Sequence, residues 1–218
     1  MERHLLRFSF ERDGGMRERA ILLGKDSVRA VLDGRKTQTR RVIKNIEQWM
    51  LEDQGDGTVM FQDRETGDQH NALVACPFGR VGDHLWVRET WKPTGLFASS
   101  RNMETEGCGH FAYAADGEQR ERDRHIKWRP SIHMPRWASR ITLEITSIKV
   151  ERLQDISEND ASAEGCPFHI ERRKLHIDRD DTARGWYRQW WKGKYGVKSW
   201  DKNPFVWVAE FKRIDVVI

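Results

Sequence analysis

Apolar and polar residues alternate along several short stretches of the chain, which is the pattern of half-buried β-strands. The clearest stretch is ASRITLEITSIKVERL, where Ile141, Leu143 and Ile145 fall on one face of a predicted strand. The segment GRVGDHLWVRETW predicts a Gly-Asp turn followed by a strand, and EDQGDGTVMFQD carries the Asp-Gly signal of a hairpin. A long closing strand is predicted at NPFVWVAEFKRIDVV, with apolar residues at alternate positions from Phe205 to Phe211.

Three other segments have the spacing and the end signals of helices. The segment DSVRAVLDG predicts a short helix over residues 27–32 that is capped at Asp26 or Ser27. The segment DISENDASAEG predicts a second short helix with an approximate capping box at Ser157 and Asp160. The segment DDTARGWYRQWWKGKYG predicts an amphipathic helix that stops at one of its last two glycines.

The order of these elements predicts an α+β fold. Strands dominate and are not regularly interleaved with helices, which favours a small β-barrel or curled sheet with a few helices at its ends. A chain of 218 residues suits one domain with large insertions. Residues 1–15 lack periodicity and are predicted to be an N-terminal extension. The alternative for that segment is an extra edge strand from Leu5 to Phe10.

The amino-acid composition limits which binding partners and which cellular compartment are expected for the protein. Lysine and arginine outnumber aspartate and glutamate by 38 to 34, a modest basic excess that permits a nucleic-acid partner without demanding one. The three cysteines are widely spaced and do not form a disulfide framework, and no secretory signal is recognisable, so a reducing cytoplasm is expected. No apolar run is long enough to predict a membrane span.

The turn between the first helix and the next strand, GRKTQTRRVI, concentrates positive charge. Lys36 and Thr39 are three residues apart, so both side chains can reach one small pocket, where a desolvated lysine acts as a base toward a hydroxyl. Arg40 and Arg41 point to opposite faces of a strand predicted over residues 40–44, so at most one of them shares that pocket. The alternative interpretation is a solvated basic turn with a capping threonine.

A second basic cluster, KWRPSIHMPRWASR, places Arg129, His133 and Arg136 between two tryptophans. Basic side chains suit phosphates and flat aromatic rings can stack on exposed bases, so the cluster is a candidate nucleic-acid surface. The alternative is that Trp128 and Trp137 anchor a core while the arginines extend to solvent.

Two glutamates are candidates for acid–base chemistry. Glu89 lies on a predicted strand beside large apolar rings, which would raise its pKa and suit a general acid or base; pairing with an arginine is the alternative. Glu164 ends the second short helix, where the helix dipole disfavours a carboxylate, so a cationic partner is expected. Lys36 is a candidate for that partner.

The motifs for metal, nucleotide and serine-hydrolase chemistry are missing from the sequence. Cys108 and His110 form C-x-H, but there is no C-x-x-C pair and no H-E-x-x-H, so no metal site is expected. There is also no G-x-x-x-x-G-K-[ST], no G-x-G-x-x-G and no G-x-S-x-G. No cofactor is therefore expected.

The residues Gly34, Lys36, Thr39 and Arg41 are spaced as G-x-K-x-x-T-x-R, which resembles the G-x-K-x-x-[E/T]-x-R signature of the ASCH domain, a β-barrel of the PUA-like superfamily. The order of the later elements is also similar, and the chain from about Met16 resembles the longer phage and prophage ASCH-like proteins. The resemblance implies a single domain over residues 16–218 with insertions at about 45–80, 95–130 and 167–200.

The resemblance implies a pocket for a nucleobase or a nucleic-acid segment. In the small bacterial members it implies amidohydrolase activity on N4-acetylcytidine, with a catalytic set that matches Lys36, Thr39 and Glu164 here. Many ASCH domains without this activity carry glutamate at the position of Thr39. The chain is therefore expected to be such an amidohydrolase, acting on the acylated exocyclic amine of a modified cytidine or related base.

Two alternatives to the enzyme remain open. One is a non-catalytic module that recognises a modified base in RNA or single-stranded DNA, and the other is a phage-encoded structural protein that keeps the fold without the activity. Salt dependence distinguishes a binding module, because contacts to phosphates weaken steeply with salt. The residues expected to contact nucleic acid are Arg35, Arg40, Arg41, Arg129, His133 and Arg136.

Overall fold

The computed structural model describes residues 15–44, 49–53, 59–63, 69–71, 76–94, 110–117, 126–167 and 182–214. Its helices are α1 (Lys25–Leu32), α2 (Glu158–Ala163) and α3 (Ala183–Tyr195). Its strands are β1 (Glu18–Leu22), β2 (Gln38–Val42), β3 (Trp49–Asp53), β4 (Val59–Asp63), β5 (Gln69–Asn71), β6 (His84–Arg88), β7 (Trp91–Thr94), β8 (His110–Tyr113), β9 (Thr142–Arg152) and β10 (Phe205–Ile214).

The main sheet has five strands in the order β1-β6-β9-β10-β2. Strands β1 and β6 run parallel, and the other neighbouring pairs in this sheet are antiparallel. Two smaller antiparallel sheets accompany it, β3-β4-β5 and β7-β8. The pairing of β3 with β4 confirms the predicted hairpin, and the mixture of sheets with a few helices confirms the α+β class.

Strand β10 separates two hydrophobic cores. Trp207, Ala209 and Phe211 pack with the interior residues of β6 and β9, as the alternating pattern predicted. The intervening Val206 and Val208 are also fully buried, but in a second core on the opposite face of the strand. The closing strand is therefore covered on both faces, whereas alternation in the sequence indicated one buried face.

Helix α3 supplies much of the second core. Its residues Tyr187 and Trp191 are buried against Trp200 and against Leu153, which follows β9. Large aromatic side chains bury enough area to anchor a helix on a sheet in this way. Residues 182–200, which the resemblance placed in an insertion, are thus part of the packed domain.

A tight turn after α2 sets the position of Glu164. The capping box of Ser157 and Asp160 is present at the start of the helix, as predicted. Gly165 follows Glu164 with φ +99°, and a Cβ at this glycine would lie 2.8 Å from the Cβ of Ala30 and 3.2 Å from that of Lys36. The backbone of α2 therefore meets the end of α1 closely, which only glycine permits.

Some element boundaries differ from the predictions. Helix α1 begins at Lys25 with Gly24 as its N-cap and without a side-chain cap, so the prediction of a cap at Asp26 or Ser27 is wrong. Strand β2 begins at Gln38, two residues earlier than predicted. Strand β1 was not predicted, because of its five residues only Ile21 is buried and no alternation is visible.

Several predicted features lie outside the described residues. They include the N-terminal extension with its alternative edge strand, and most of the first two insertions. Within the part of the chain that is described, no helix is long and apolar enough to cross a bilayer.

Candidate active site

Lys36 and Glu164 form a buried ion pair at the junction of α1, β2 and α2. The ammonium of Lys36 donates to Glu164 Oε2 at 2.5 Å and to the Glu164 backbone oxygen at 2.9 Å. Each side chain is only 2% exposed. The two residues also form a β-bridge, so backbone pairing and side-chain pairing hold them together. The predicted partnership of Lys36 with Glu164 is therefore present.

Arg40 is a second cation on the same carboxylate. Its Nη1 donates to Glu164 Oε1 at 3.1 Å, and its Nε donates to Glu151 Oε1 at 2.9 Å. The Arg40 side chain is fully buried. Arg40 is thus a structural partner of two carboxylates, and its burial leaves it inaccessible to a nucleic-acid strand, contrary to its predicted role as a contact residue.

The two cations affect Glu164 and Lys36 differently. Burial alone would raise the pKa of Glu164, but the positive charges of Lys36 and Arg40 outweigh it and hold the pKa below its ordinary value. Desolvation lowers the pKa of Lys36, although the charge of Glu164 opposes the shift. If Lys36 loses its proton, Glu164 is still paired with Arg40. Lys36 is therefore the member of the cluster best placed to act as a base.

Thr39 lies on the other face of β2. It is directly opposite Ala209, which belongs to the first core, whereas Arg40 is opposite Val208, which belongs to the second. The Thr39 hydroxyl accepts a hydrogen bond of 3.0 Å from Arg41 Nη1. Within the described residues no hydrogen bond joins Thr39 to Lys36. The structure therefore brings Lys36 and Glu164 together, and places Thr39 with Arg41.

Arg41 links the two edge strands of the main sheet. Besides Thr39, it donates to the backbone oxygen of its neighbour Arg40 at 2.8 Å and to that of Leu22, in β1, at 3.2 Å. Strands β1 and β2 are the outer strands of the five, so this hydrogen bond joins the two edges of the sheet. Arg35 lies nearby, where it pairs with Asp33 and donates to the backbone oxygen of Gly165.

One residue of α3 borders the cluster, and the sequence did not single it out. The ring of Tyr187 is 5.9 Å from the Arg40 guanidinium, and its buried hydroxyl has no hydrogen-bond partner among the described residues. Lys194 lies further along the helix, over the rings of Trp190 and Tyr195. The amphipathic pattern of α3 identified a buried aromatic face, but it did not identify the residues that this face contacts.

The second basic cluster lies on other elements, away from Lys36. Arg136 forms a two-point ion pair with Glu18, with its Nε 2.9 Å from Oε2. Arg129 lies over the ring of Trp91, and His133 is exposed. Trp137 is 40% exposed and packs edge-on against Trp91. The cluster has cations at the surface, as the nucleic-acid interpretation predicts. It also has tryptophans that are partly packed into the interior, as the core-anchor interpretation predicts.

Glu89 is paired with an arginine, in line with the alternative given for it. Both of its carboxylate oxygens accept from Arg140, which also holds Asp116 with two hydrogen bonds. Burial raises the pKa of Glu89, although Arg140 opposes the shift. Because its carboxylate is engaged at both oxygens, Glu89 is a structural group in this arrangement.

No group of three or more metal-ligating side chains occurs within the described ranges. Two of the three cysteines, Cys76 and Cys166, are buried and are not part of a disulfide within those ranges, and Cys108 of the C-x-H motif lies outside them. Burial raises the pKa of Cys76 to about 11, so its thiol is protonated at neutral pH and is a poor metal ligand or nucleophile.

Comparison of the chain with protein-family models, with curated proteins and with solved structures found no match. The candidate site therefore stands on the residues themselves: a buried lysine paired with a carboxylate, a second cation that keeps this carboxylate charged, and a hydroxyl bound to an arginine.

Proposed function

We propose that the protein is an amidohydrolase that removes an acyl group from the exocyclic amine of a modified cytidine or a related base. The proposal rests on one observation above the others. Lys36, buried and with a lowered pKa, is paired with a carboxylate that keeps a second cation, Arg40. A desolvated lysine of this kind suits a general base.

In the proposed first step, Thr39 attacks the amide carbonyl and its proton passes to Lys36. The guanidinium of Arg41, which donates to the Thr39 oxygen, stabilises the negative charge that the attack develops. Because Lys36 and Thr39 are not directly hydrogen-bonded, the transfer requires a bridging water or a side-chain movement on substrate binding. Geometry in an unliganded enzyme is commonly looser than in its complex.

The remaining steps follow from conservation of atoms and charge. The bond between the acyl carbon and the exocyclic nitrogen breaks, and the proton on Lys36 goes to that nitrogen, which leaves as an amine. Water then attacks the Thr39 ester, again with Lys36 as base. The bond between the acyl carbon and the Thr39 oxygen breaks, the proton on Lys36 returns to that oxygen, and the free carboxylic acid leaves. Glu164 stays ionised throughout and orients Lys36.

The proposal includes the fold that the resemblance implies, a PUA-like barrel. The hydrogen bond from Arg41 in β2 to Leu22 in β1 supports it, since it brings the two outer strands of the sheet together. In such a barrel the signature turn and the end of α2 would form one side of a pocket at the mouth.

A second candidate function is a module that binds a modified base in RNA or single-stranded DNA. Exposed polar side chains in the same segment as the partly exposed Trp137 favour it, namely Arg129 and His133. Such a module would lose affinity with salt, with a logarithmic slope of about −0.7 for each phosphate contacted on a single strand. An enzyme acting on a neutral nucleoside would respond little to salt.

The experiment is to incubate the purified protein with N4-acetylcytidine and to follow its conversion to cytidine by chromatography. We expect conversion by the wild type, and loss of conversion in Glu164→Ala. Thr39→Ser should retain part of the activity and Thr39→Val none, because only a hydroxyl can form the ester. Conversion by Thr39→Val would exclude the covalent step, and the absence of conversion by the wild type would exclude this substrate.

A further inference from the structure

Two strands of the main sheet carry charged side chains on the face of the second core. Lys149 in β9 and Arg40 in β2 both lie opposite Val208 of β10, so the three side chains share one face of the sheet. Glu151 lies on that face too, because it is two residues after Lys149 in the same strand. The charged side chains are at most 8% exposed. The face that α2 and α3 cover therefore carries buried charge as well as valines.

Glu151 contacts two cations at separate oxygens. Its Oε1 accepts from Arg40 Nε at 2.9 Å and lies 2.8 Å from Arg40 Nη2. Its Oε2 lies 3.4 Å from the ammonium of Lys149. Glu164 is arranged in the same way, with Arg40 at Oε1 and Lys36 at Oε2. These side chains form a row of alternating charge, which we call the charged row, in the order Lys149, Glu151, Arg40, Glu164 and Lys36.

Arg40 is held more closely by Glu151 than by Glu164. Two of its nitrogens contact Glu151, at 2.9 and 2.8 Å, whereas one nitrogen contacts Glu164, at 3.1 Å. Charge-assisted hydrogen bonds are stronger when they are shorter. Arg40 therefore neutralises Glu164 less than an arginine without a second carboxylate would, and Glu164 keeps more of its negative charge for Lys36.

Two further side chains, Gln38 and Asp160, contact the charged row. Gln38 Oε1 accepts from Arg40 Nη1 at 3.2 Å. Its Nε2 donates to Asp160 Oδ1 at 2.9 Å and to Glu210 Oε1 at 3.1 Å. Asp160 Oδ1 also lies 3.6 Å from the ammonium of Lys149. The charged row is thus held between β2, β9, β10 and α2, so a change of charge at one member acts on its neighbours at short, fixed distances.

The charge of Glu151 acts on Lys36 through this row. If Glu151 were neutral, Arg40 would have Glu164 as its main partner and would neutralise it more fully. The loss of a nearby negative charge and the fuller neutralisation of Glu164 both disfavour the protonated form of Lys36. Loss of the Lys149 charge would have the opposite effect. The other charged groups that act on Lys36 are Arg41 of β2 and Lys194 of α3.

We propose that Glu151 is a positioning residue for the candidate active site. Through Arg40 it sets the orientation of Glu164 and the share of the Glu164 charge that is available to Lys36. The inference rests on the proposed function, in which Lys36 is the base. It adds to that function a residue of β9 that reaches Lys36 only through Arg40 and Glu164.

The test is the pH dependence of kcat/KM for N4-acetylcytidine in Glu151→Gln. Glutamine keeps an oxygen for Arg40 and removes only the charge. We expect the midpoint of the rise in kcat/KM to move down by about 0.5–1 pH unit, so that kcat/KM below the midpoint increases about three- to tenfold. A midpoint that stays at the wild-type value would overturn the proposal.

Two further variants in β9 show whether the shift comes from the charged row. Lys149→Gln removes the cation at the other end of the row and should move the midpoint up, which a loss of packing alone would not do. It also tests the row if Glu151→Gln does not fold. Glu144→Gln removes a carboxylate from a surface pair with Lys212 and should leave the midpoint unchanged. Midpoints that move in the same direction in Glu151→Gln and Lys149→Gln would overturn the proposal.

A titration that does not depend on turnover separates failure of this proposal from failure of the proposed reaction. The protein is labelled with ¹³C at Cε of its lysines, and nuclear magnetic resonance follows the Lys36 signal, which is identified by its absence from Lys36→Arg. Its midpoint should fall in Glu151→Gln and rise in Lys149→Gln, whether or not N4-acetylcytidine is converted. Unchanged midpoints in both variants would overturn the positioning role. Shifted midpoints without conversion would support that role and overturn only the reaction.

Discussion

Lys36 and Glu164 are 128 residues apart in the sequence and are neighbours in the fold, joined by a β-bridge and by a buried ion pair. The β-bridge places the two side chains at a distance at which the salt bridge can form. Arg40 completes the group from β2. A buried lysine is thereby built into the junction of three elements.

Removal of the shared carboxylate should destabilise the protein strongly. Glu164→Ala leaves Lys36 and Arg40 buried without their common partner, and we expect a loss of about 3–5 kcal/mol in the free energy of unfolding. Urea denaturation followed by circular dichroism measures it. The control is Glu144→Ala, which breaks a surface pair with Lys212 and should cost less than about 1 kcal/mol. Similar losses in both variants would contradict the account.

The glycine after Glu164 should tolerate no side chain. Gly165→Ala forces a left-handed residue and brings its Cβ within 2.8 Å of Ala30, so we expect a loss of about 2 kcal/mol or more. Gly193→Ala is the matched control, since nothing lies within 4 Å of its Cβ and it sits within α3. It should stabilise the protein by about 0.5–1 kcal/mol. Thermal unfolding of both variants measures the expected loss and the expected gain of stability.

The proposed reaction should accelerate as pH rises. The pKa of Lys36 is lowered by desolvation, so its free-base fraction increases with pH and reaches a plateau below the range of an ordinary lysine. The logarithm of kcat/KM for N4-acetylcytidine is expected to rise with a slope of about one and then to level off. A rate that is flat from pH 5 to pH 9, or that falls over this range, would exclude Lys36 as the base.

Glu89 should make the protein less stable as pH rises above the ordinary glutamate pKa. Its pKa is raised in the folded state by burial, so the folded state binds the proton more tightly than the unfolded chain. The stability from this proton is complete below the unfolded pKa and is lost as pH rises through the folded value. The unfolding free energy of the wild type should therefore fall relative to that of Glu89→Gln as pH rises above 4.5. A difference that shifts toward the wild type would contradict the direction.

The sequence predicted the regular elements whose signals are local. Alternation marked β6, β9 and β10, and the capping box at Ser157 marked the start of α2. The partnership of Lys36 with Glu164 was also predictable, because a carboxylate at the end of a helix requires a cation and the signature turn offered one. The elements needed only the order of residues over a few turns, whereas the partnership joined two segments that are 128 residues apart.

The parts of the fold and of the candidate site that were not predicted depend on packing between distant segments. The burial of Val206 and Val208 follows from the docking of α3, which no pattern within β10 can reveal. The contact of Tyr187 with Arg40 likewise depends on how α3 packs against the sheet, and the alternation of β2 places Thr39 on the face opposite Arg40. Tertiary contacts, rather than spacing, decide which side chains share a site.

The most direct test of the central claim is the rate of N4-acetylcytidine conversion by Lys36→Arg beside that of the wild type. Arginine keeps the positive charge opposite Glu164 but cannot give up its proton, so it cannot act as a base. The account predicts conversion by the wild type and none by a folded Lys36→Arg, with folding checked by circular dichroism. Equal conversion by both proteins would show that Lys36 is not the base and would contradict the account.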